Sequence, residues 1–433
     1  MLKLRTSGKE INPHSGVSFC IDVIEEAGIP TLLTKTLGAR GRRSKYQYSD
    51  AILSIIYGIV CGATRLSDLK GLKKKLDDPN LNIPSPDIIS DIVRLELSEE
   101  NEIITSDSDN SYGFNMNKKL NGLMLDTALH LDLLDTEESY TLDYDNTVLF
   151  CDKHGKFCNW TYKKSRGYTP GVSWIGQIPV YIEGRAGNAP PKFKLMETVS
   201  RNFDLMDERG IQIGRFRSDA AGYQKSVVDF MEDRGIDFFI RANHSKAMWE
   251  KINQVEEWKR VRIGFVEFDV AGFQFKPFGG DKEYRIMVSR LPNETGENHS
   301  KTGEPFVYRC VITNNIRMSD AEVLKFYNDR GAIEKNYDMM GNDFLWKNLP
   351  FSYMNENQTF MLITGIGAIL YRFLIDIFAA RVDFVNETDR MKAFRLNFIS
   401  LAGEWIEENG EMVLLIHDMS RHYSMIGEYA KAG

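Results

Sequence analysis

Four carboxylates stand out for the chemistry they could do. Asp143 and Asp145 lie in Thr141-Leu-Asp-Tyr-Asp-Asn-Thr-Val-Leu-Phe150, whose apolar and β-branched residues between polar flanks read as a buried strand. Two residues apart on a strand, both side chains leave one face. An isolated charge is costly to desolvate, so acids in a buried strand are paired, reach water at its end, or bind a cation. The pleat alone does not say which of the two a cation would take. Asp219 follows a second strand, 211–217, and precedes a helix, where α/β sheets collect ligands. Its alternative role is to cap that helix. Glu334 shares a predicted helix face with Tyr327 and Arg330 at i, i+3 and i+7. The plainer reading there is an Arg330–Glu334 surface pair with Tyr327 in the core.

Hard oxygen donors of this kind suit Mg²⁺, which keeps waters and needs few carboxylates. The five cysteines (Cys20, Cys61, Cys151, Cys158, Cys310) are scattered and form no C-x-x-C, which disfavours zinc and points to a reducing setting. His154, His244 and His417 read as surface or satisfied core histidines.

The elements that must position these acids follow from periodicity. Residues 1–130 read as helical. A helix over Ala51–Ala63, capped by Ser49, has Ile52, Ile55, Ile56, Ile59 and Val60 at helical spacing. Ser67–Lys75 forms a second helix, Pro84-Ser-Pro-Asp87 opens a third over Ile88–Leu97, and a fourth spans Asn117–Leu134. Strands are predicted at 141–151, 157–162 and 171–183. Helix Pro191–Arg209, strand 211–217, helix Ala220–Arg234 and strand 236–241 follow, with Gly210 and Gly235 as stops. Residues 261–278, 283–291 and 306–313 alternate as an antiparallel β insertion. A capping box at Ser319–Glu322 restarts helix through Glu334, and 355–380 and 389–408 are predicted helical.

The net charge of −7 argues mildly against nucleic acid, but basic residues cluster locally. One run, 35–75, carries Arg42, Arg43, Lys73, Lys74 and Lys75, and another spans 153–201. Such surfaces allow phosphate contact without general stickiness, although a lone run is more often a solvated face. Two apolar stretches, 51–64 and 357–371, end at Arg65 and Arg372, short of the ~20 residues that cross a bilayer. No membrane association is expected, and the polar N-terminus is not a signal peptide.

Taken in order, Asp145-x-Thr147, Arg217-Ser-Asp219 and Tyr327-x-x-Arg330-x-x-x-Glu334 resemble the DDE transposases of bacterial insertion sequences, in the cut-and-paste group with a YREK-type signature. The resemblance spans roughly 140–375, includes the β insertion, and extends to Asn348-Leu-Pro350 with Asn357 and the apolar helix after it. Position 341, where the pattern carries lysine, is glycine, and Lys335 and Lys347 are the basic residues nearby.

The resemblance implies an α/β fold: an RNase H-like mixed sheet with helices on both faces, an antiparallel β insertion and an α-helical N-terminal region. The implied domains are 1–135 (DNA-binding), 136–242 and 318–380 (the two parts of the catalytic core), 243–317 (insertion) and 381–433 (a helical C-terminal region). It selects Asp145 over Asp143, because the family's first Asp precedes x-Thr. It further implies two Mg²⁺ ions, with Mn²⁺ able to substitute, bridged by Asp145 and held separately by Asp219 and Glu334. Tyr327, Arg330, Lys335 and Lys347 would contact DNA. Trp249 or Trp258 would stack on a flipped base, although either could be ordinary core. The implied partners are transposon-end and target DNA, bound by a homodimer in the bacterial cytoplasm at the nucleoid. The rivals are an inactive, DNA-binding transposase derivative and, in another class, a retaining glycosidase, for which no aromatic sugar cleft is readable.

Overall fold

The computed structural model describes residues 8, 10–76, 78, 81–151 and 155–417. His154 therefore lies outside the described residues. The N-terminal region begins with α1 (Gly16–Glu26), α2 (Ile29–Leu37), α3 (Tyr48–Val60), α4 (Leu69–Leu76) and α5 (Pro86–Asp91). The apolar stripe of α3 is buried, and its capping box joins Gln47 to Asp50 rather than using Ser49. Ser85 caps α5, and the helix expected over 88–97 passes into a π-helical turn at Ile92–Leu97.

The region read as wholly helical contains a hairpin, β1 (Glu102–Thr105) and β2 (Ser111–Asn115), before α6 (Lys118–His130). Asp109, at φ 61, makes the turn.

The mixed α/β core follows. β3 (Ser139–Asn146) is its central strand. β4 (Leu149–Phe150), β5 (Asn159–Trp160) and β6 (Arg166–Tyr168) leave the main sheet and form a small one in the order β4-β6-β5. The segment 157–162, expected beside the central strand, belongs to this small sheet instead. Its place is taken by β7 (Gly171–Ile175) and β8 (Ile178–Arg185), a hairpin where one strand was expected, turning at Gly176 with φ 58. α7 (Leu195–Asp207), β9 (Gln212–Ser218), α8 (Lys225–Asp233) and β10 (Asp237–Ala242) complete the core.

β3 runs antiparallel to β7 and parallel to β9, and β9 runs parallel to β10. The order β8-β7-β3-β9-β10 is a mixed sheet of RNase H-like type. Helices cover both faces, and alternate residues of β8 show it. A Cβ on Gly365 would come within 3.2 Å of Ile182 and 2.8 Å of Met124 in α6, so one face is closed by α6 and by the helix carrying Gly365. Glu183, next along the strand, faces α7, where Thr198 and Arg201 donate to it at 2.7 and 2.8 Å.

The insertion comprises α9 (Lys246–Ile252), β11 (Lys259–Ile263), β12 (Val266–Phe275), β13 (Tyr284–Pro292) and β14 (Phe306–Thr313). β14 pairs with β10 from Phe239↔Thr313 to Ala242↔Cys310, so insertion and core form one sheet. With β1 and β2 attached through β8, it has eleven strands, β1-β2-β8-β7-β3-β9-β10-β14-β13-β12-β11.

α10 (Asp320–Asn328), a 3-10 turn at Asp329–Gly331 and α11 (Ala332–Asn342) replace the continuous helix predicted through Glu334. α12 (Met354–Ala379) carries Gly365 and is 26 residues long. It matches the helix predicted over 355–380 and is apolar and long enough to cross a membrane, although the stretch 357–371 alone was too short, but 78% of its most apolar window is buried inside the protein. The C-terminal region corrects the helical expectation over 389–408. After α13 (Met391–Phe394) and a π-helical turn comes a hairpin, β15 (Gly403–Glu408) and β16 (Glu411–Ile416).

Candidate active site

Strand register decides the two aspartates of β3. Asp143 pairs with Arg217 and Tyr144 with Ser218 in the parallel β3–β9 ladder. Arg217 grips Asp143 through two hydrogen bonds of 2.6 Å, with both side chains buried. Asp143 is thus neutralised within the fold. One residue past the last pair, Asp145 and Asp219 emerge side by side from the carboxyl ends of adjacent strands. They line one cavity of ≈440 Å³ with Asn146, Thr147, Tyr162, Lys163, Pro191 and Tyr337.

Each acid has one oxygen committed to backbone. Asp145 accepts from the Asn146 N–H at 2.9 Å, and Asp219 from the Ala221 N–H at 2.9 Å. Asp219 therefore is the cap that the sequence allowed, of the 3-10 turn Ala220–Gly222, with its second oxygen left for another partner. The second oxygen of Asp145 meets Arg330 at 3.0 Å. Burial pushes the Asp145 carboxyl up to about 6, against the Arg330 charge and with help from Asp219. Its side chain keeps 23% of its surface at the cavity, so water still reaches it.

α10 and α11 cross over this edge. Tyr327 donates to the Ser218 carbonyl at 3.2 Å, Arg330 to that of Tyr144 at 3.5 Å, and Tyr337 to that of Asp145 at 3.0 Å. Tyr327 and Arg330 therefore stand at the site, as expected, while Tyr337 was not foreseen. Its signal was available, seven residues past Arg330, or two turns.

Glu334 does not join the pair. It is exposed and lines a second cavity of ≈1380 Å³ with Asp143, Arg217, Lys335 and Arg390. The 3-10 turn is the reason. Three residues wound at 3.0 rather than 3.6 per turn shift the helical phase by about 60°. The shared face assumed for Tyr327, Arg330 and Glu334 is broken there. Among the described residues no group of three or more His, Cys, Asp and Glu could hold a metal ion. The three-carboxylate, two-ion set is not assembled in this structure. Asp145 and Asp219 bring hard oxygen donors to one cavity, the ligand type a divalent cation takes, while Arg330 holds the second oxygen of Asp145.

The remaining DNA-contact candidates are spread out. Lys335 is exposed at the second cavity. The Lys347 side chain lies alongside Gly341. A Cβ there would come within 3.0 Å of the Lys347 stem, whose ammonium donates to Asn342 at 2.6 Å. Arg42, Arg43, Lys74 and Lys75 are exposed, and Lys73 donates to the Ile83 carbonyl at 3.2 Å.

Both tryptophans of the insertion already have protein partners. Trp249 packs against His244 and His299 with ring centroids 4.5 Å away in each case. Trp258 lies 4.1 Å from the Arg290 guanidinium. These contacts favour the packing role that the sequence left open.

Burial, with Arg241 and His299 adding, holds the His244 imidazole below its usual value. A histidine with a depressed folded pKa stabilises above its unfolded value, near 6.5, and that contribution is lost as pH falls through it. His244→Gln should therefore melt with a smaller drop between pH 7 and pH 5 than the parent. Equal drops would show that the stack tolerates the charge.

A family model described as transposase DDE domain, group 1, matches residues 1–432. No curated protein matches the chain. Among solved structures, the piggyBac transposase in its synaptic complex with hairpin DNA aligns with a TM-score of 0.46 at 9% identity, covering 90% of this chain and 80% of that one.

Proposed function

Since the chain belongs to the transposase DDE domain group 1 family, we propose that Asp145, Asp219 and Glu334 are the acids with which it cuts and joins DNA. The chain is a DNA transposase, an enzyme of DNA cleavage and strand transfer, and enzymes of this family generally use divalent ions. The observation that carries the assignment of Asp145 and Asp219 is the Tyr144↔Ser218 register, which sets them beside each other at one strand edge.

Asp145 and Asp219 would hold the cation through the oxygens their backbone contacts leave over. When bound, a divalent ion supplies the charge that activates an attacking water or 3′-hydroxyl and stabilises the leaving oxygen. Arg330, released from Asp145, turns to a phosphate oxygen beside the scissile bond. Tyr327 anchors the 3-10 turn to the end of β9 and so sets where Arg330 points. Lys335 and Lys347 add phosphate contacts. Hydrolysis first frees a 3′-hydroxyl, which then attacks another strand.

Glu334 stands four residues beyond Arg330, one helical turn from the residue that already reaches Asp145. Rewinding the Asp329–Gly331 turn as α-helix when DNA docks would bring it to the pair as the third acid and allow a second ion. We read the element as a bacterial insertion sequence of YREK type, bounded by terminal inverted repeats. We read the enzyme as a Mg²⁺-dependent homodimer on DNA that also accepts Mn²⁺ and acts at the nucleoid in the cytoplasm. Residues 1–135 would bind DNA through Arg42, Arg43 and Lys73–Lys75. A non-cleaving derivative is disfavoured, because both strand-end aspartates remain and face one cavity.

The test is excision of the element, with its flanking repeats, from a plasmid. Glu334→Ala should abolish excision while leaving the metal-free melting temperature unchanged, since the side chain is exposed. Normal excision by this variant would remove Glu334 from the chemistry.

A further inference from the structure

The small sheet β4-β6-β5 has a property that the catalytic reading does not use. Three aromatic side chains in or beside it are exposed: Trp160 by 62%, Phe150 by 53% and Tyr162, in the turn after β5, by 61%. Exposed aromatics concentrated in one place mark a binding surface. None of these three rings meets another ring or a cation among the ring contacts found in the described residues. Tyr162 and its neighbour Lys163 line the same ≈440 Å³ cavity as Asp145 and Asp219. Lys163 and Lys164, next to Tyr162 in the chain, are exposed, as is Lys156, whose ammonium lies over the Phe157 ring.

We propose that Trp160 and Tyr162 form a stacking lip for unpaired bases of the DNA strand that enters the Asp145–Asp219 cavity. This rests on the reading of that cavity as the place of the scissile phosphate. Flat aromatic faces interleaved with ammonium groups fit a single strand, whose bases stack while its phosphates find the cations. A fully paired duplex keeps its base faces stacked inside and offers this surface only phosphates. An apolar protein segment would take the rings but not the lysines. The two tryptophans of the insertion are engaged with His244, His299 and Arg290, whereas Trp160 is exposed two residues before Tyr162.

The test uses the full chain without divalent ions, so that it reads binding and does not depend on which acids cleave. Two probes share their phosphates: an octamer of thymidine nucleotides and an abasic octamer with no bases. The parent protein should prefer the thymidine octamer by roughly tenfold or more. The double variant Trp160→Ala/Tyr162→Ala should hold both octamers within about twofold of each other, with its affinity for the abasic one unchanged. Trp160→Phe/Tyr162→Phe should keep most of the preference. Both positions are on the surface, and an unchanged melting temperature checks the fold. A parent that binds both octamers equally, or a double variant that keeps the preference, overturns the proposal.

Discussion

Asp145→Ala and Asp219→Ala should each lower DNA cleavage by on the order of a thousandfold or more. A bound cation supplies several kcal/mol of transition-state stabilisation, and each ~1.4 kcal/mol is tenfold in rate. Losing either carboxylate leaves one acid at the cavity, too few to hold a hard cation between waters. The folded protein should lose less than it does at Asp143, because Asp145 is partly exposed and its desolvation already disfavours the charge. Arg330 is left without its carboxylate, however, so Asp145→Ala should still lower the urea midpoint. Cleavage of end-containing DNA at matched protein and Mg²⁺ concentrations checks the first part. A variant that cuts within tenfold of the parent would place the cation elsewhere.

Asp143→Ala should fail in the opposite way. Two residues earlier on the same strand, Asp143 is the buried partner of Arg217, which also stacks 4.6 Å from the Phe326 ring. Removing the carboxylate strands a guanidinium in the core, which costs about 3–5 kcal/mol. Total stabilities are only ~5–15 kcal/mol, so the urea midpoint should fall steeply and little folded protein should remain when warm. Replacing both partners, as Asp143→Leu with Arg217→Met, should recover much of the loss, because an apolar pair has no charge to desolvate. If Asp143→Ala folds like the parent yet cannot cleave, the two aspartates have been given each other's roles.

This pair shows what periodicity can and cannot read. Alternation put Asp143 and Asp145 on one face, correctly, but their fates depend on what the neighbouring strand presents at each level. Arg217 opposite Asp143 is a tertiary fact, visible only once β3 and β9 are set in register. Asp219 was legible because a strand end followed by a helix start is a local pattern. Glu334 was placed by counting along a continuous helix, and three residues of tighter winding at Asp329–Gly331 undid the count. The C-terminal hairpin was misread although its signal was present. Asn409 and Gly410 both adopt positive φ, 53° and 86°, the two-residue turn that joins antiparallel strands. Acidic residues around Trp405 and Ile406 imitate an amphipathic helix, and the Asn-Gly dipeptide should have outweighed them. The insertion was seen as strands from alternation alone, but nothing local announced that β14 would dock on β10.

That docking removes modularity from the enzyme. Residues 243–317 look like a cassette that could be cut out or exchanged between relatives. Excision would instead bare the amides and carbonyls of β10 along Phe239–Ala242, an open edge ready to pair with another molecule. An exchanged cassette would have to reproduce the β10–β14 alignment residue for residue, since a slip of one turns every side chain of β14 to the wrong side. Changes in this part of the protein are thus constrained to the tips of its hairpins, where length and composition can drift without disturbing β10 or the neighbouring strand that leads to Asp219.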